Sequence, residues 1–477
     1  MNQGYGLPMT DTTALLDDLR RELPAARLVT DPRVMESLAH DDAEWAPWEL
    51  PAGVVRAESA AAVQSVIKTA IRHRVPVIPR GSGTGLSGGA NATAGSLVID
   101  LSSMNEIKII DPIERLAVVG PGVINDHLRA ACAEHGLWYP PDPASSPWSS
   151  IGGNVATNAG GVCCVKYGVT RDYVLGLELV NGRGEIVRLG KRTAKGVAGY
   201  DLTSLVVGSE GTLGIVTEIT VRLRKQRPAE HTVVGYFDSV TDAGVAVTKI
   251  AETGLTPSAL ELVDRHCLQA VDAWKNMGLS ADANVILLGR TDSPGEAGAQ
   301  EAAELLAAFD AGGATWSAQT DDQEEGDALF AARRLAYPAL ERLGPVLTED
   351  ICLPLGKLPQ MLSRIEQIAV DHDTTIANIA HAGDGNLHPL LITPIGDDQA
   401  RIRAQQAFSQ IIAGCLELGG TVTGEHGVGL LKLSGLAQEL SPAVQRMQAD
   451  VKAALDPYGI LNPGKAIVQR SPSGDGD

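Results

Sequence analysis

The feature of the sequence that most constrains the fold is a run of small residues, Pro79-Arg-Gly-Ser-Gly-Thr-Gly-Leu-Ser-Gly-Gly89, which contains five glycines. The apolar residues of 63–71 recur at helical spacing, and 75–78 is typical of a short buried strand, so the run follows a strand. Because glycine lets a backbone approach a ligand closely, the consecutive N–H groups are suited to a diphosphate. The run matches neither the dinucleotide-binding fingerprint nor a P-loop. The alternative is therefore a tight turn that binds no ligand.

Two more stretches of small residues follow, at 149–161 and 207–216. The second stretch, 149–161, contains four glycines and two asparagines after a proline-rich segment. The third stretch, 207–216, leads into a predicted strand at 215–223. An irregular surface loop is the alternative for the second stretch, but ordering so many small residues is costly in conformational entropy. Three glycine loops so close in sequence predict one large ligand that is contacted at several points.

Composition and charge narrow the class of protein. The chain has 477 residues, of which 44% are apolar, enough for two or three packed domains. A formal net charge of −19 argues against nucleic acid or an anionic membrane as a binding partner, because both attract basic surfaces.

The six cysteines form no C-x-x-C pair and are expected to be reduced thiols. Neither an apolar run of membrane-spanning length nor a signal-peptide pattern occurs. We predict a cytoplasmic protein, with peripheral association at the inner face of a membrane left open.

Helical and strand patterns alternate in the first half of the chain, which favours an α/β or α+β fold. The basic segment 222–227, followed by Pro228, closes this half, and we predict a domain boundary after residue 227. The predicted helices are 13–23 and 125–135, and the predicted strands are 96–101 and 116–120.

The second half, from 229 to about 425, has a different character. The segment 285–288 is a predicted strand and 297–309 a predicted helix, with polar linkers expected at 291–296 and 320–327. This pattern is typical of an antiparallel sheet with helices on one face.

Two short segments of the second half carry the candidate chemistry. They are 381–389, His-Ala-Gly-Asp-Gly-Asn-Leu-His-Pro, and 420–429, Gly-Thr-Val-Thr-Gly-Glu-His-Gly-Val-Gly. A predicted helix from 397 to about 415, stopped by Gly419-Gly420, would fold one segment back onto the other.

The two segments contain a candidate metal site. His381 and His388 flank a Gly-Asp-Gly turn, and Glu425 adds an oxygen ligand. Two histidines and a carboxylate leave open positions on a divalent ion, as in catalytic sites. His426 follows Glu425 directly and is a candidate general base, because adjacent side chains rarely face the same ion. The alternative is that each histidine is an ordinary structural residue.

The three small-residue stretches resemble the FAD-contacting segments of the vanillyl-alcohol oxidase and p-cresol methylhydroxylase flavoprotein superfamily. The resemblance rests on 80–85, on Pro141-Asp142 with 152–161, and on 208–214, and it covers roughly 45–226. It implies FAD between two α/β subdomains, with the diphosphate on 80–85. Relatives with covalently bound flavin have a histidine close after the Arg-Gly segment, and its absence here implies non-covalent FAD. The implied cofactor-binding residues are Arg80, Gly81, Ser82, Gly83, Thr84, Gly85, Ser87, Pro141, Asp142, Gly152, Gly153, Thr157, Asn158, Gly161, Glu210, Gly211, Gly214, Ile215 and Asn462.

The second half is similar to the FAD-linked D-2-hydroxy acid dehydrogenases, a group that includes D-lactate dehydrogenase, D-2-hydroxyglutarate dehydrogenase and the flavin subunit of glycolate oxidase. The likeness rests on 381–388, on 424–429 and on the closing segment 456–464. It implies a divalent metal, usually zinc, and a hydroxyl proton taken by the histidine after the glutamate. The implied roles are metal binding by His381, His388 and Glu425, general base catalysis by His426, carboxylate binding by Arg333 in preference to Arg334, and a substrate pocket with Asn386 and Thr348.

Together these inferences predict an α+β fold. An FAD-binding domain of two α/β subdomains is expected at 1–227 and a cap domain with an antiparallel sheet and helices at 228–425. A C-terminal segment at 426–470 returns to the FAD domain, and a disordered tail is expected at 471–477.

The substrate expectation rests on one position. Relatives that act on 2-hydroxyglutarate carry a lysine where this chain has Thr348, with Glu349 and Asp350 beside it. D-lactate or a similar monocarboxylate is therefore favoured for oxidation to the 2-oxo acid.

Several alternatives stay open. Within enzymes, they are the flavin subunit of a multi-subunit glycolate oxidase and a D-2-hydroxyglutarate dehydrogenase. Outside that class, they are a metal-dependent hydrolase with a structural nucleotide and a non-catalytic flavin-binding scaffold. The electron acceptor could be a quinone, a cytochrome, an electron-transfer flavoprotein or oxygen, and the assembly a homodimer or a complex with partner subunits.

Overall fold

A computed structural model of the chain describes residues 12–24, 27–193 and 195–468. The predicted disordered tail at 471–477 and the last two residues of the predicted segment 426–470 lie outside the described residues. The positions at which the domains divide stay a prediction, whereas the predicted α+β class is confirmed.

The first half of the described chain contains short helices and strands in alternation. Its helices are α1 (Thr12–Glu22), α2 (Pro32–Leu38), α3 (Ala60–His73), α4 (Asn125–Ala133), α5 (Ile151–Thr157), α6 (Cys164–Tyr167), α7 (Thr170–Tyr173) and α8 (Leu202–Val206). Its strands are β1 (Leu28–Val29), β2 (Gly53–Arg56), β3 (Val77–Arg80), β4 (Leu97–Asp100), β5 (Ile107–Asp111), β6 (Leu116–Val119), β7 (Leu137–Trp138), β8 (Val174–Val180), β9 (Ile186–Gly190), β10 (Ile215–Arg222) and β11 (Arg224–Lys225).

These strands form two main sheets. One has the order β1-β2-β4-β3, with β2, β4 and β3 parallel and β1 antiparallel at the edge. The other is antiparallel, with the order β5-β6-β10-β8-β9, and β7 pairs separately with β11. Helix α3 begins at Ser59, whose side chain caps it, and buries one apolar face, so β3 and the glycine-rich run after it are firmly placed.

The second half contains the longer elements. Its helices are α9 (Val240–Thr253), α10 (Arg265–Lys275), α11 (Glu296–Ala311), α12 (Gln323–Arg334), α13 (Ala336–Glu341), α14 (Leu358–Asp371), α15 (Asp398–Glu417), α16 (Leu433–Glu439) and α17 (Pro442–Leu455). Its strands are β12 (His231–Phe237), β13 (Ala259–Asp264), β14 (Val285–Thr291), β15 (Trp316–Thr320), β16 (Val346–Thr348), β17 (Ile351–Cys352), β18 (Thr375–His381) and β19 (Asn386–Ile392).

The second half is built on one antiparallel sheet of the order β15-β12-β14-β13-β18-β19-β16, with β17 also paired to β19. Helices α9, α11, α14 and α15 pack on one face and α10 and α13 on the other. The expectation of helices on one face was therefore wrong. The physical reason is visible in β13 and β14, which are buried at every residue and so need apolar cover on both faces.

Two further local expectations were wrong. The second small-residue stretch is not a loop throughout, because 151–157 forms α5. The side chain of Ser150 caps that helix by accepting a hydrogen bond from the N–H of Gly153, and Asn158 ends it in the left-handed conformation. The linker expected at 320–327 likewise contains the start of α12, which is capped by Asp322.

Residues of the C-terminal segment pair with the first sheet. The N–H of Val77 donates to the carbonyl of Ile460, and the N–H of Asn462 donates to the carbonyl of Val77. The amide of Asn462 also donates to the carbonyls of Gly89 and Glu210, at 2.9 and 2.7 Å. Within the described residues, no helix is long and apolar enough to cross a membrane.

Candidate active site

A large cavity lies where the three small-residue stretches meet the sheet of the second half. Its volume is about 340 Å³, which lies within the usual range of ligand-binding pockets. Residues from all three stretches line it, together with residues of α12, β16, β18 and β19. The predicted cofactor residues on its wall are Gly81, Ser82, Gly83, Thr84, Gly85, Ser87, Gly152, Gly153, Thr157, Glu210, Gly211, Gly214 and Ile215.

The loop after β3 offers free backbone donors to this cavity. Within the described part of the chain, no residue accepts a hydrogen bond from the backbone N–H groups of 82–87. Such unpaired donors, on residues that line a cavity, are suited to phosphate oxygens. Gly83 has a φ of +81°, and a Cβ there would lie 1.7 Å from Nη1 of Arg80, so the loop conformation requires glycine.

Six predicted cofactor residues do not line the cavity. The carboxylate of Asp142 accepts a hydrogen bond from the N–H of Cys163 at 3.1 Å, and the side chain of Asn158 accepts one from the N–H of Arg171 at 2.8 Å. These two side chains hold neighbouring segments in place, and any contact of the six with a cofactor stays a prediction. The other four are Arg80, Pro141, Gly161 and Asn462.

Glu210 joins the third stretch to the C-terminal segment. Its carboxylate accepts hydrogen bonds from the N–H groups of Val428 and Gly429, at 2.8 and 2.9 Å. Burial raises the pKa of Glu210 to about 7, although these two hydrogen bonds oppose the shift. Glu210 therefore places the residues that follow His426 against the cavity.

His381, His388 and Glu425 come together as the sequence predicted. The hairpin of β18 and β19 carries the two histidines, and Glu425 lies in the loop between α15 and α16. Oε1 of Glu425 is 3.1 Å from Nε2 of His381 and 3.3 Å from Nε2 of His388. The candidate ligand atoms of the three residues all lie within 4.8 Å of one another. Burial alone raises the pKa of Glu425, but the two histidines outweigh burial and hold that pKa well below its usual value.

Glu261 of β13 supports this cluster from behind. Its two oxygens accept hydrogen bonds from Nδ1 of His381 at 2.7 Å and from Nε of Arg333 at 2.8 Å. With Nδ1 engaged, Nε2 of His381 is the nitrogen that faces Glu425. Arg333 lines the cavity, and Nη1 and Nη2 of its guanidinium form no hydrogen bond to another described residue.

His426 also lines the cavity, and its ring stacks on that of His388 with centroids 4.8 Å apart. Burial lowers the pKa of His426 to about 4, so its imidazole is neutral at pH 7. A neutral histidine is able to accept a proton.

Two substrate-pocket expectations have different outcomes. Thr348 lines the cavity, with Oγ1 3.4 Å from the hydroxyl of Tyr337. Asn386 does not line it, because its amide donates to Asp350 at 2.8 Å and to the carbonyl of Ile351 at 3.0 Å. Glu349 is fully buried away from the cavity wall, as is Asp350, so their charges give no reason to disfavour a dicarboxylate.

Glu261, Tyr337 and the role of Asp350 were not predicted from the sequence. A signal existed for Glu261, since it is a lone carboxylate between leucines in a strand, and a buried carboxylate needs a partner. Asp350 gave no comparable signal, because its partners are distant in sequence.

Comparison with known proteins identifies the class. The family model described as FAD linked oxidases, C-terminal domain, matches residues 227–466, and the one described as FAD binding domain matches residues 51–190. The chain belongs to the family of FAD-linked oxidases. FAD is thus the cofactor, and the protein is an oxidoreductase.

The relatives cover nearly the whole chain. A glycolate oxidase subunit, GlcD, of Bacillus subtilis (strain 168) is 42% identical over 422 residues, which are 88% of this chain and 90% of the relative. A D-lactate dehydrogenase of Anaerostipes hadrus is 32% identical over 459 residues, 93% of this chain and 95% of the relative. The solved structure of p-cresol methylhydroxylase with substrate bound has a TM-score of 0.81 at 16% identity and covers 97% of this chain and 98% of that one, so the two share a fold.

We expect Gly83→Ala to weaken FAD retention, because its Cβ would push the Arg80 guanidinium out of its place beside the loop that carries the free N–H groups. The matched control is Gly95→Ala, which also has a positive φ, of +71°, but has no atom within 4 Å of the added Cβ. The measurement is the ratio of flavin absorbance to protein absorbance after gel filtration. Full retention of FAD by Gly83→Ala would contradict this account of the loop.

Proposed function

We propose that the protein oxidises a small 2-hydroxy acid to the 2-oxo acid, with a divalent metal ion as a second cofactor. The observation that carries the proposal is that one cavity is lined by the FAD-binding stretches and also by His381, His388, Glu425 and His426. Oxidation removes a hydride from carbon and a proton from the hydroxyl oxygen, and bound FAD supplies the hydride acceptor.

Three observations support a metal ion. Two imidazole nitrogens and a carboxylate oxygen converge, Glu261 fixes the far nitrogen of His381, and the carboxylate of Glu425 faces the two histidines at a point where a cation could bind all three side chains. His381, His388 and Glu425 would hold the ion, and zinc suits this donor set. The ion would lower the pKa of the substrate hydroxyl. Stretch 81–87 contains no histidine, cysteine or tyrosine, which supports non-covalent FAD.

The protein side chains divide the remaining work. His426 accepts the hydroxyl proton, and Nε2 is the receiving atom, because Nδ1 is buried against Asp350. Arg333 binds the substrate carboxylate through Nη1 and Nη2, while Glu261 keeps its guanidinium in place. Arg334 lines the cavity too but is exposed to solvent, so it is the weaker choice.

Thr348 and Tyr337 limit the charge available at the far end of the substrate. Their hydroxyls are neutral, and burial raises the pKa of Tyr337 to about 12. Neither residue supplies a positive charge to a second carboxylate on the substrate. This supports a monocarboxylate such as D-lactate or glycolate over D-2-hydroxyglutarate.

A glycolate oxidase subunit is the second candidate. The GlcD relative, which is described as a subunit, is 42% identical to this chain, compared with 32% for the D-lactate dehydrogenase relative. Under this alternative the same residues act on glycolate, and partner subunits take part in turnover. If glycolate reduces the flavin of the isolated protein but steady-state turnover does not follow, the glycolate oxidase subunit is favoured.

We expect His426→Ala to retain FAD and metal and to reduce the flavin on the order of 10²- to 10⁴-fold more slowly, the usual contribution of a general base. The measurement is the rate of flavin bleaching after anaerobic mixing with substrate in a stopped-flow instrument. His135→Ala, which removes an exposed histidine at the end of α4, is the control. A rate close to that of the wild type would exclude His426 as the base.

Thr348→Lys should shift preference towards a dicarboxylate, because an ammonium group would meet a distal carboxylate. We expect kcat/KM for D-2-hydroxyglutarate, relative to D-lactate, to rise about tenfold or more, the equivalent of roughly 1.4 kcal/mol. Thr348→Met is the uncharged control of similar length. An unchanged ratio would show that Thr348 lies away from the distal end of the substrate.

A further inference from the structure

Asp350 lies behind the site and is fully buried. Its Oδ2 accepts hydrogen bonds from three consecutive backbone N–H groups of the loop that carries Glu425 and His426. The hydroxyl of Thr423 donates to the same oxygen at 2.7 Å. The backbone donors are Gly424 and Glu425 at 3.1 Å and His426 at 2.8 Å.

The same carboxylate faces two histidine rings. Nδ1 of His388 is 3.7 Å from Oδ1, and Nδ1 of His426 is 4.0 Å from Oδ2. Both Nδ1 atoms are buried and have no hydrogen-bond partner among the described residues. A nitrogen that faces a carboxylate is favoured in its protonated form, so each neutral ring is expected to carry its proton on Nδ1. That tautomer leaves the Nε2 lone pairs free, and Nε2 of His388 is the atom near Glu425.

Lys432 is the charged partner of Asp350. Its Nζ is 3.3 Å from Oδ2, and the lysine is 1% exposed. This ion pair offsets the cost of burying the carboxylate beneath the loop of Glu425 and His426.

We propose that Asp350 is a positioning residue for the oxidation. It fixes the loop that presents Glu425 and His426, and it sets one tautomer in both His388 and His426, so that the metal ligand and the base offer Nε2 at the same time. This inference rests on the proposed function of the site, and it names a residue that acts only through others.

Glu349 provides a matched control. It is adjacent to Asp350, equally buried, and 3.8 Å from Nζ of Lys432, yet it contacts neither the histidines nor the loop of Glu425. Burial raises the pKa of Glu349 to about 8, so Glu349→Gln replaces a neutral side chain by another of the same shape at pH 7.

The experiment compares Asp350→Asn with Glu349→Gln in the FAD-loaded protein. For Asp350→Asn we expect zinc affinity, measured by chelator competition, to fall about 10- to 100-fold. At saturating zinc, kcat should fall on the order of 10²-fold while KM and FAD content stay close to wild type. Glu349→Gln should match the wild type in all four quantities. Asp350→Asn with unchanged zinc affinity and kcat would overturn the proposal, as would a KM effect alone.

A measurement on the wild type keeps the inference testable if Asp350→Asn does not fold. Nitrogen NMR of metal-free protein labelled with ¹⁵N-histidine, recorded above pH 8, reports which ring nitrogen carries the proton. His388→Ala and His426→Ala assign the signals. We expect a protonated Nδ1 in both rings, and a protonated Nε2 in either would contradict the role of Asp350. If no hydroxy acid reduces the wild-type flavin, the proposed function fails, whereas this tautomer measurement still tests Asp350 by itself.

Discussion

The negative charge of Glu425 is the constraint on which the site depends. A buried carboxylate is unfavourable unless charged or hydrogen-bonding partners surround it. Here its partners are His381 and His388, at 3.1 and 3.3 Å, from a hairpin that is separated from it in sequence by helix α15. Satisfying this one charge therefore brings together two distant segments of the second half of the chain. It also creates a set of ligands that a divalent cation would complete.

The first half of the chain closes the same site from the other side. A Cβ on Gly160 would lie 2.3 Å from Oε2 of Glu425, so the second small-residue stretch packs directly on the cluster of His381, His388 and Glu425. Glu210 of the third stretch holds the N–H groups that follow His426. The residues that surround the cofactor and those that would handle the substrate proton are thus held to one another by short contacts. This arrangement explains how hydride and proton removal can occur on one small molecule.

Most of the architecture could be predicted from the sequence because its signals are local. Glycine runs mark the turns, apolar periodicity marks α3 and α15, and the histidine and glycine segments mark the hairpin of β18 and β19. Helix cover on both faces of the large sheet was not predicted. The strand was predicted only over 285–288, and a short apolar run does not by itself show that both faces of β14 are buried. The small-residue stretch at 149–161 was grouped with the glycine loops, but Ser150 and Asn158 cap a short helix there.

The parts of the site that could not be predicted depend on contacts between residues far apart in sequence. Glu261 meets His381 across 120 positions, and Asp350 meets the N–H of His426 across 76. Glu349 and Asp350 were taken with Thr348 as disfavouring a dicarboxylate, but both side chains are buried behind the site. Asn386 was likewise expected in the pocket, but its amide satisfies Asp350.

We propose that one cavity joins flavin reduction to a metal-assisted proton transfer. The most direct test is the anaerobic flavin spectrum of the purified protein, titrated with D-lactate, L-lactate, glycolate and D-2-hydroxyglutarate before and after chelation. We expect D-lactate or glycolate to bleach the yellow absorbance, chelation to abolish the bleaching, and added zinc to restore it. A flavin that no acid bleaches, as in a non-catalytic scaffold, would contradict the proposed oxidation, and bleaching that survives complete removal of metal would contradict the role given to His381, His388 and Glu425.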